Sequence, residues 1–272
     1  MNGLNIVNGK EVYLTMSLFP VQRSTSLPGG YMGKILRVDL TTGSMRDEQL
    51  PEEPVLKKFI GGQALASYIL LRELPLDAKP FGPENIVVMM TGPLTGNGFT
   101  PGGTKMTAVY LSPLTNITLG RGATSGYWAT YLKAAGYDGI ILNGASPKPV
   151  YLYINEGKPE LRDASKVWGL GTRDTEDRLR ELVGSRDAKV LCIGAAGENL
   201  NRAAMLANDY NHFAAHSGGA VLGSKKLKAI VVQGTKQPSF RDKAKLVDAG
   251  WRWRKTLQQH DVKKKKTKYG HG

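Results

Sequence analysis

Two glycine-rich stretches carry the residues best suited to hold a ligand. Residues 91–103 read Thr-Gly-Pro-Leu-Thr-Gly-Asn-Gly-Phe-Thr-Pro-Gly-Gly, and residues 120–126 read Gly-Arg-Gly-Ala-Thr-Ser-Gly. Glycine lets a backbone approach a ligand closely, and successive amides in such turns form a concavity that accepts an anion such as phosphate. The same composition also makes an ordinary surface turn, and a single turn does not separate the two readings. The first stretch follows the apolar run Ile-Val-Val-Met-Met at 86–90, which predicts a strand buried on both faces. That turn is therefore delivered from a rigid element.

The pattern recurs. Residues 125–144 read Ser-Gly-Tyr-Trp-Ala-Thr-Tyr-Leu-Lys-Ala-Ala-Gly-Tyr-Asp-Gly-Ile-Ile-Leu-Asn-Gly, and residues 217–234 read Ser-Gly-Gly-Ala-Val-Leu-Gly-Ser-Lys-Lys-Leu-Lys-Ala-Ile-Val-Val-Gln-Gly. Both begin Ser-Gly, carry a Leu-Lys, and close on an aliphatic strand followed by an amide residue and Gly. Each is preceded by a buried strand and a glycine turn, at 86–98 in one half and at 190–198 in the other. This reads as a duplicated unit, with chance similarity as the alternative. Two anion-cradling turns related by an approximate two-fold suit a ligand that is itself double.

The elements that position these turns follow from periodicity. Ile35, Leu36 and Val38 mark a strand, and 41–44 turn the chain into a second strand at 45–50. Pro51 to Pro54 open a helical region. Gly61 and Gly62 read as a turn ahead of a helix from about Gln63, because glycines cost about 1 kcal/mol each inside a helix. Leu74-Pro75 ends that helix. Residues 105–111 alternate as a strand. Residues 125–135 predict a short helix, with Thr124 or Ser125 as its N-cap, Gly136 as its stop and free first-turn amides aimed at the site. Strands follow at 139–143 and 150–155, with a hairpin turn at 156–159, and an amphipathic helix at 172–183 stopped by Gly184. The fold class is α+β, an internally duplicated mixed β-sheet domain with short helices.

At 272 residues the chain can bury a sizeable core as one domain or two closely packed halves. Its 33 glycines and 14 prolines exclude a helical bundle and call for many turns. The single cysteine, Cys192, lies in an apolar run and reads as a buried structural thiol. It excludes any disulfide or cysteine-based zinc or iron–sulfur site built by this chain alone, and fits a reducing, cytoplasmic compartment. Twelve of the 37 Lys and Arg and three of the 23 Asp and Glu fall in 236–272, so nine of the fourteen net positive charges belong to the tail. The lysine run 263–266 has no interleaved aromatic, which makes nucleic acid an unlikely partner and a solvated segment its commoner meaning. No stretch approaches a membrane span. The chain divides into an irregular extension (1–31), a ligand-binding domain (32–235), and a basic helical or disordered tail (236–272).

Catalytic constellations are thin. Of His212, His216, His260 and His271, only His216 stands in a glycine turn, where it is either a ligand contact or an exposed loop residue. The sequence Gly-Gly-Ala-Val-Leu-Gly-Ser-Lys at 218–225 resembles a phosphate-binding loop with Ser and Lys in the wrong order, and 194–199 is not a dinucleotide fingerprint.

Taken together, several motifs resemble one family. They are Gly-Pro-Leu-Thr-Gly from Gly92, Ser-Pro-Leu-Thr from Ser112, Leu-Lys-x-Ala-Gly-Tyr-Asp from Leu132, Tyr-Leu-Tyr-Ile from Tyr151, Arg-Asp-Ala-Ser from Arg162, Ile-Gly-x-Ala-Gly-Glu-Asn from Ile193 and Gly-Ala-Val-Leu-Gly-Ser-Lys-x-Leu-Lys-Ala-Ile from Gly219. Their order is similar to the N-terminal domain of tungsten-containing aldehyde ferredoxin oxidoreductases, from about Met32 to Thr235. The resemblance implies a domain on which two phosphate-bearing pterins hold one tungsten or molybdenum. It also implies oxidation of aldehydes or related oxo substrates, with electrons passed to an iron–sulfur acceptor such as ferredoxin.

Carried over position by position, the resemblance places Gly102, Gly103, Thr104 and Lys105 at one pterin phosphate. It places Ala123, Ser125, Gly126 and Tyr127 at the second turn, and His216, Ser217, Gly218 and Gly219 at its repeat partner. Thr104 stands where the family usually has Arg. Ala123 stands where well-known members have an Asn that helps hold magnesium, which counts against magnesium at the phosphates. An Arg-Gly-Gly of the family is shortened to His216-Ser-Gly-Gly. Lost guanidiniums weaken bidentate phosphate binding unless Lys105, Arg121 or Lys225 substitutes. The 4Fe-4S cluster of the family would come from a missing region or a cysteine-bearing partner, and a homodimer is a further arrangement the family allows. The chain alone is then expected to be incomplete and inactive, exposing Phe99, Tyr127 and Trp128. A tail helix is expected to offer Ala244, Val247, Trp251 and Leu257 as an apolar face. The residues also leave open a non-catalytic scaffold or anion-binding module that retains the fold.

Overall fold

The computed structural model describes residues 6–7, 10–11, 27–260 and 268. Most of 1–31 and the lysine run 263–266 lie outside them. Strands β1 (Ile6–Val7) and β2 (Lys10–Glu11) pair antiparallel.

The hairpin expected after Met32 forms as β3 (Lys34–Asp39) and β4 (Met45–Gln49), in register from Lys34↔Gln49 to Val38↔Met45. Asp39 Oδ1 accepts from the Thr41 amide at 2.8 Å, an Asx contact that reverses the chain. Helices α1 (Glu53–Phe59) and α2 (Gly62–Glu73) follow. Gly61 and Gly62, at the start of α2, serve a close approach. A Cβ on Gly61 would lie 2.6 Å from Thr91 O, and the Gly62 amide donates to that oxygen at 2.9 Å.

Strand β5 (Val87–Met90) is buried throughout. Val87 and Met89 enter the core between the sheets, while Val88 and Met90 pack under α1 and α2. This is why the run is apolar without alternation. The first half closes with β6 (Met106–Leu111), β7 (Leu119–Thr124), α3 (Trp128–Ala134) and β8 (Gly139–Asn143).

The second half repeats that order: β9 (Val150–Asn155), β10 (Lys158–Asp163), α4 (Thr172–Val183), β11 (Lys189–Cys192), α5 (Ala195–Glu198), β12 (Leu206–Asn208), β13 (His212–Ala214), α6 (Gly218–Ser224) and β14 (Leu227–Gln233). Among the described residues one sheet runs β4-β3-β8-β5-β6-β7 and the other β10-β9-β14-β11-β12-β13. The two orders match strand for strand. Each has one parallel pair, β3 with β8 and β9 with β14. The duplication read from the sequence is therefore a duplication of topology. A central cluster joins both sheets with α3 and α6, while α4 covers the outer face of the second sheet.

Three expectations need correction. Residues 119–124 are not a glycine turn but the edge strand β7, paired with β6 from Met106↔Thr124 to Leu111↔Leu119. Its glycines answer crowding: a Cβ on Gly120 would lie 2.6 Å from the Tyr110 ring, and one on Gly122 would lie 2.8 Å from Ala215 O. The following helix starts at Trp128 rather than Ser125, with Tyr127 at the N-cap and no side-chain cap. Trp128, expected on an open face, is fully buried. Its indole is large enough to cross from one half to the other, where Nε1 donates to Ile230 O at 2.9 Å.

The tail forms α7 (Lys243–Gln259), capped by Asp242, whose side chain accepts from the Lys245 amide at 2.9 Å. Its buried contact is Gly250, where a Cβ would come within 2.5 Å of Phe99 O. Ala244, Trp251 and Leu257 are exposed and Val247 is half-buried. Close approach to the first glycine loop thus selects the glycine, not the larger apolar residues, as the seat of the helix.

Candidate functional site

Asn97 builds the first glycine loop. Its side-chain amide donates to Leu94 O and to Thr100 Oγ1, and its Oδ1 accepts from the amides of Phe99 (2.7 Å) and Thr100 (2.9 Å). Gly98 (φ +73°) and Gly102 (φ +74°) adopt the left-handed region, with no protein atom within 4 Å of where a Cβ would be. Gly103 is locked inside the loop: its carbonyl accepts from the Gly96 amide at 2.8 Å, and a Cβ would sit 2.6 Å from Leu94 O. Thr104 is half-buried and Lys105 is exposed. Lys105 Nζ donates to Ser125 Oγ at 3.1 Å. This bond joins the first loop to the second turn.

Residues of the other half hold that turn. Gly126 (φ +88°) has no room for a Cβ beside Asn208 Oδ1 and Asp209 Oδ2, and the Tyr127 amide donates to the Asp209 carboxylate. Asn208, fully buried, donates to Thr124 Oγ1 at 2.8 Å. In return, Tyr110 of the first half holds the repeat turn. Its hydroxyl donates to His216 O at 2.5 Å. Burial pushes the Tyr110 phenol up from its ordinary range, which keeps this donor protonated.

The repeat turn itself is strained. His216 (φ 70°) and Ser217 (φ 75°) are consecutive non-glycine residues in the left-handed region. Ser217 is buried and its hydroxyl donates to Arg202 O, whereas His216 is exposed. Replacing His216 by Gly should raise stability by about 1 kcal/mol, read from the denaturant midpoint, because it relieves the backbone without removing a buried contact. An unchanged or lowered midpoint would show that the His216 side chain contributes more than its conformation costs.

The structure brings Lys105 against Ser125, and it brings β7, which carries the exposed Ala123, against Ala214 and Ala215 just before His216. The backbone bonds of Gly103 stay within their own loop. Of the first-turn amides expected to be free at 125–135, that of Tyr127 is taken by Asp209; in the repeat, that of Gly219 is taken by Ala204 O at 3.1 Å. Of the three cations considered as substitutes for arginine, only Lys105 is placed for the task. Arg121 is engaged with Gln63 Oε1 at 2.8 Å. Lys225 is fully buried, with Nζ on Gly144 O (2.8 Å) and Pro83 O (3.3 Å).

Sequence reasoning missed Asn97, Tyr110, Asn208 and Asp209. The Asn97-Gly98 pair and the polar run 208–212 carried turn chemistry that could have flagged three of them. Tyr110, inside an apolar strand, carried no signal. Cys192 is buried, and burial pushes its thiol well above its ordinary value, which fits a structural role. Among the described residues no three His, Cys, Asp or Glu side chains are grouped to hold a metal, and no helix is long and apolar enough to cross a membrane.

The family model for the aldehyde ferredoxin oxidoreductase N-terminal domain matches residues 35–234. The tungsten-containing aldehyde ferredoxin oxidoreductase of Pyrococcus abyssi is 44% identical over 220 residues, covering 80% of this chain and 36% of that protein. The WOR-like subunit of an aliphatic sulfonate oxidoreductase of Pyrococcus furiosus is 40% identical over 233 residues, covering 79% of this chain and 36% of that protein. A solved structure of the active-site complex BamBC of benzoyl coenzyme A reductase with 1,5-dienoyl-CoA superposes with a TM-score of 0.73 at 36% identity, covering 78% of this chain and 32% of that one. This chain therefore spans about a third of the length of these relatives. With the model covering most of the chain and the duplicated sheets in place, the chain belongs to the aldehyde ferredoxin oxidoreductase family, in the part that forms its N-terminal domain.

Proposed function

We propose that residues 32–235 form the cofactor-seating domain of a tungsten–pterin oxidoreductase that oxidises aldehydes or related oxo substrates and passes electrons to an iron–sulfur acceptor such as ferredoxin. The observation that carries this reading is the reciprocal clamping of two Ser-Gly turns, one per half, across the interface of a duplicated fold. A cofactor with two phosphate-bearing arms needs two such seats facing each other.

The residues fit the group at the first seat. Lys105 Nζ and Ser125 Oγ offer a cation and a hydroxyl within one hydrogen bond of each other, and the space where a Gly102 Cβ would lie is open, whereas Gly98 O accepts from Arg254 at 3.2 Å. Lys105 acts there as a point charge rather than a bidentate fork. At the second seat, His216, Ser217, Gly218 and Gly219 supply a turn whose shape Tyr110 fixes. Bound tungstopterin would supply the two-electron redox chemistry, and this chain's residues bind and orient it. The Ala123 side chain gives no oxygen donor for a magnesium ion. The cluster cysteines and the groups that move protons would come from the remaining length of the relatives, as a further part or subunit.

The test is to express the chain in a tungsten-replete host with the polypeptide that supplies that remaining length, then to measure metal and pterin in the purified complex. Tungsten and pterin are expected to co-purify; absence of both rejects the reading. The engagement of the Tyr127 and Gly219 amides favours a second reading, a scaffold that has kept the fold without the cofactor. Salt-dependent nucleic-acid binding that is lost on deletion of 236–272, with no pterin retained, would select it.

A further inference from the structure

Asp209 sits in a position that the core does not require. Asp209 (φ 46°) and Tyr210 (φ 62°) are consecutive non-glycine residues in the left-handed region, and Tyr210 is 40% exposed. Strain at an exposed loop persists only where surrounding groups over-determine it, and here α4 provides those groups. Glu176 Oε1 accepts from the Tyr210 amide at 2.9 Å, and its Oε2 is paired with Arg180 at 2.9 Å. The Tyr210 hydroxyl donates to Asp177 and accepts from Arg180 Nη1 at 2.6 Å, with the Arg180 guanidinium 4.8 Å from the ring centre. All of this aims one carboxylate at the Tyr127 amide, two residues from Ser125, and Gly126 is left without a side chain to admit it.

We propose that Asp209 is a specificity-determining residue of the first seat. Its carboxylate takes the Tyr127 amide from any incoming anion and fixes a negative charge beside the Lys105–Ser125 pair. The anion is then held by the Lys105 and Ser125 side chains, and anions of high charge density are disfavoured. This rests on the reading of Lys105 and Ser125 as anion ligands. It does not depend on whether pterin or metal is ever acquired.

The experiment uses the full chain titrated with inorganic pyrophosphate at low salt, comparing the parent with Asp209→Asn and Asp209→Ser. Both variants keep an acceptor for the Tyr127 amide and remove the charge; Lys105→Ala locates the binding. Removing one nearby like charge should tighten pyrophosphate roughly three- to tenfold. The gap should close near 1 M salt, where charges are screened within about 3 Å. A purely structural effect of the substitutions would not vanish with salt. Folded variants that bind no tighter than the parent overturn the proposal. So does a gap indifferent to salt, or the absence of pyrophosphate binding sensitive to Lys105→Ala. Loss of tungsten and pterin from the complex, by contrast, bears on the cofactor reading alone.

Discussion

Replacing Trp128 by Ala should lower the stability of the folded chain by about 3–5 kcal/mol, the range for emptying a large buried aromatic site. Trp128 lies on α3 of the first half, yet it is fully buried in the central cluster and donates to Ile230 O in β14 of the second half. Its loss leaves a cavity at the junction of the duplicated units and removes a hydrogen bond between the halves. Trp128→Phe separates the two effects. It keeps most of the apolar volume and should lose about 0.5–1.5 kcal/mol, the net worth of one hydrogen bond. Urea unfolding of the three proteins decides this: a loss below about 1 kcal/mol for Trp128→Ala would mean that the two halves do not depend on this side chain.

Lys225 should contribute a rise in stability with pH between about 8 and 10, by up to about 3 kcal/mol. Burial lowers the Lys225 ammonium from its ordinary value of 10.5 to about 8, against a smaller opposing pull from Glu84 and Asp39. Below about pH 8 the lysine is charged in both folded and unfolded chains, and the full cost of burying the charge is present. Between the two values the unfolded chain binds the proton and the folded chain does not, so raising the pH favours folding. Above 10.5 the cost is gone. Tyr31 works the other way above pH 10, because burial raises its phenol to about 12 and the folded chain then keeps a proton that the unfolded chain gives up. The measurement therefore compares parent and Lys225→Met at pH 8 and pH 10. Burial also lowers the Lys133 ammonium, which contributes equally to both proteins and cancels in the difference. Equal pH dependence in the two would show that Lys225 is not the group responsible.

The position of Lys225 shows why a motif read along the chain can mislead. In sequence it belongs to a near phosphate-binding loop and could have replaced a lost arginine. In the fold it ties α6 to the Gly144 and Pro83 carbonyls of the other half, out of reach of an anion.

What the sequence by itself determined were the features set by local or periodic physics. The apolar run 86–90 specified a strand covered on both faces. Gly184 specified a left-handed helix stop, and the recurrence of Ser-Gly and aliphatic strand specified a duplicated unit. The collinear motifs determined the family in the same way, since motif order survives without knowledge of contacts. The tertiary structure alone decided what each glycine was for. Gly61, Gly120 and Gly122 face Thr91, Tyr110 and Ala215, residues ten or more positions away, so their need for a missing Cβ is invisible in the chain. It also decided which donors of the site stay free. The amide of Tyr127 reads as open until the fold brings Asp209 to it from the other half, and Tyr110 reads as core until its hydroxyl meets His216. Hydrogen bonds between residues some eighty to a hundred positions apart depend on how two sheets stack, and no local propensity encodes that.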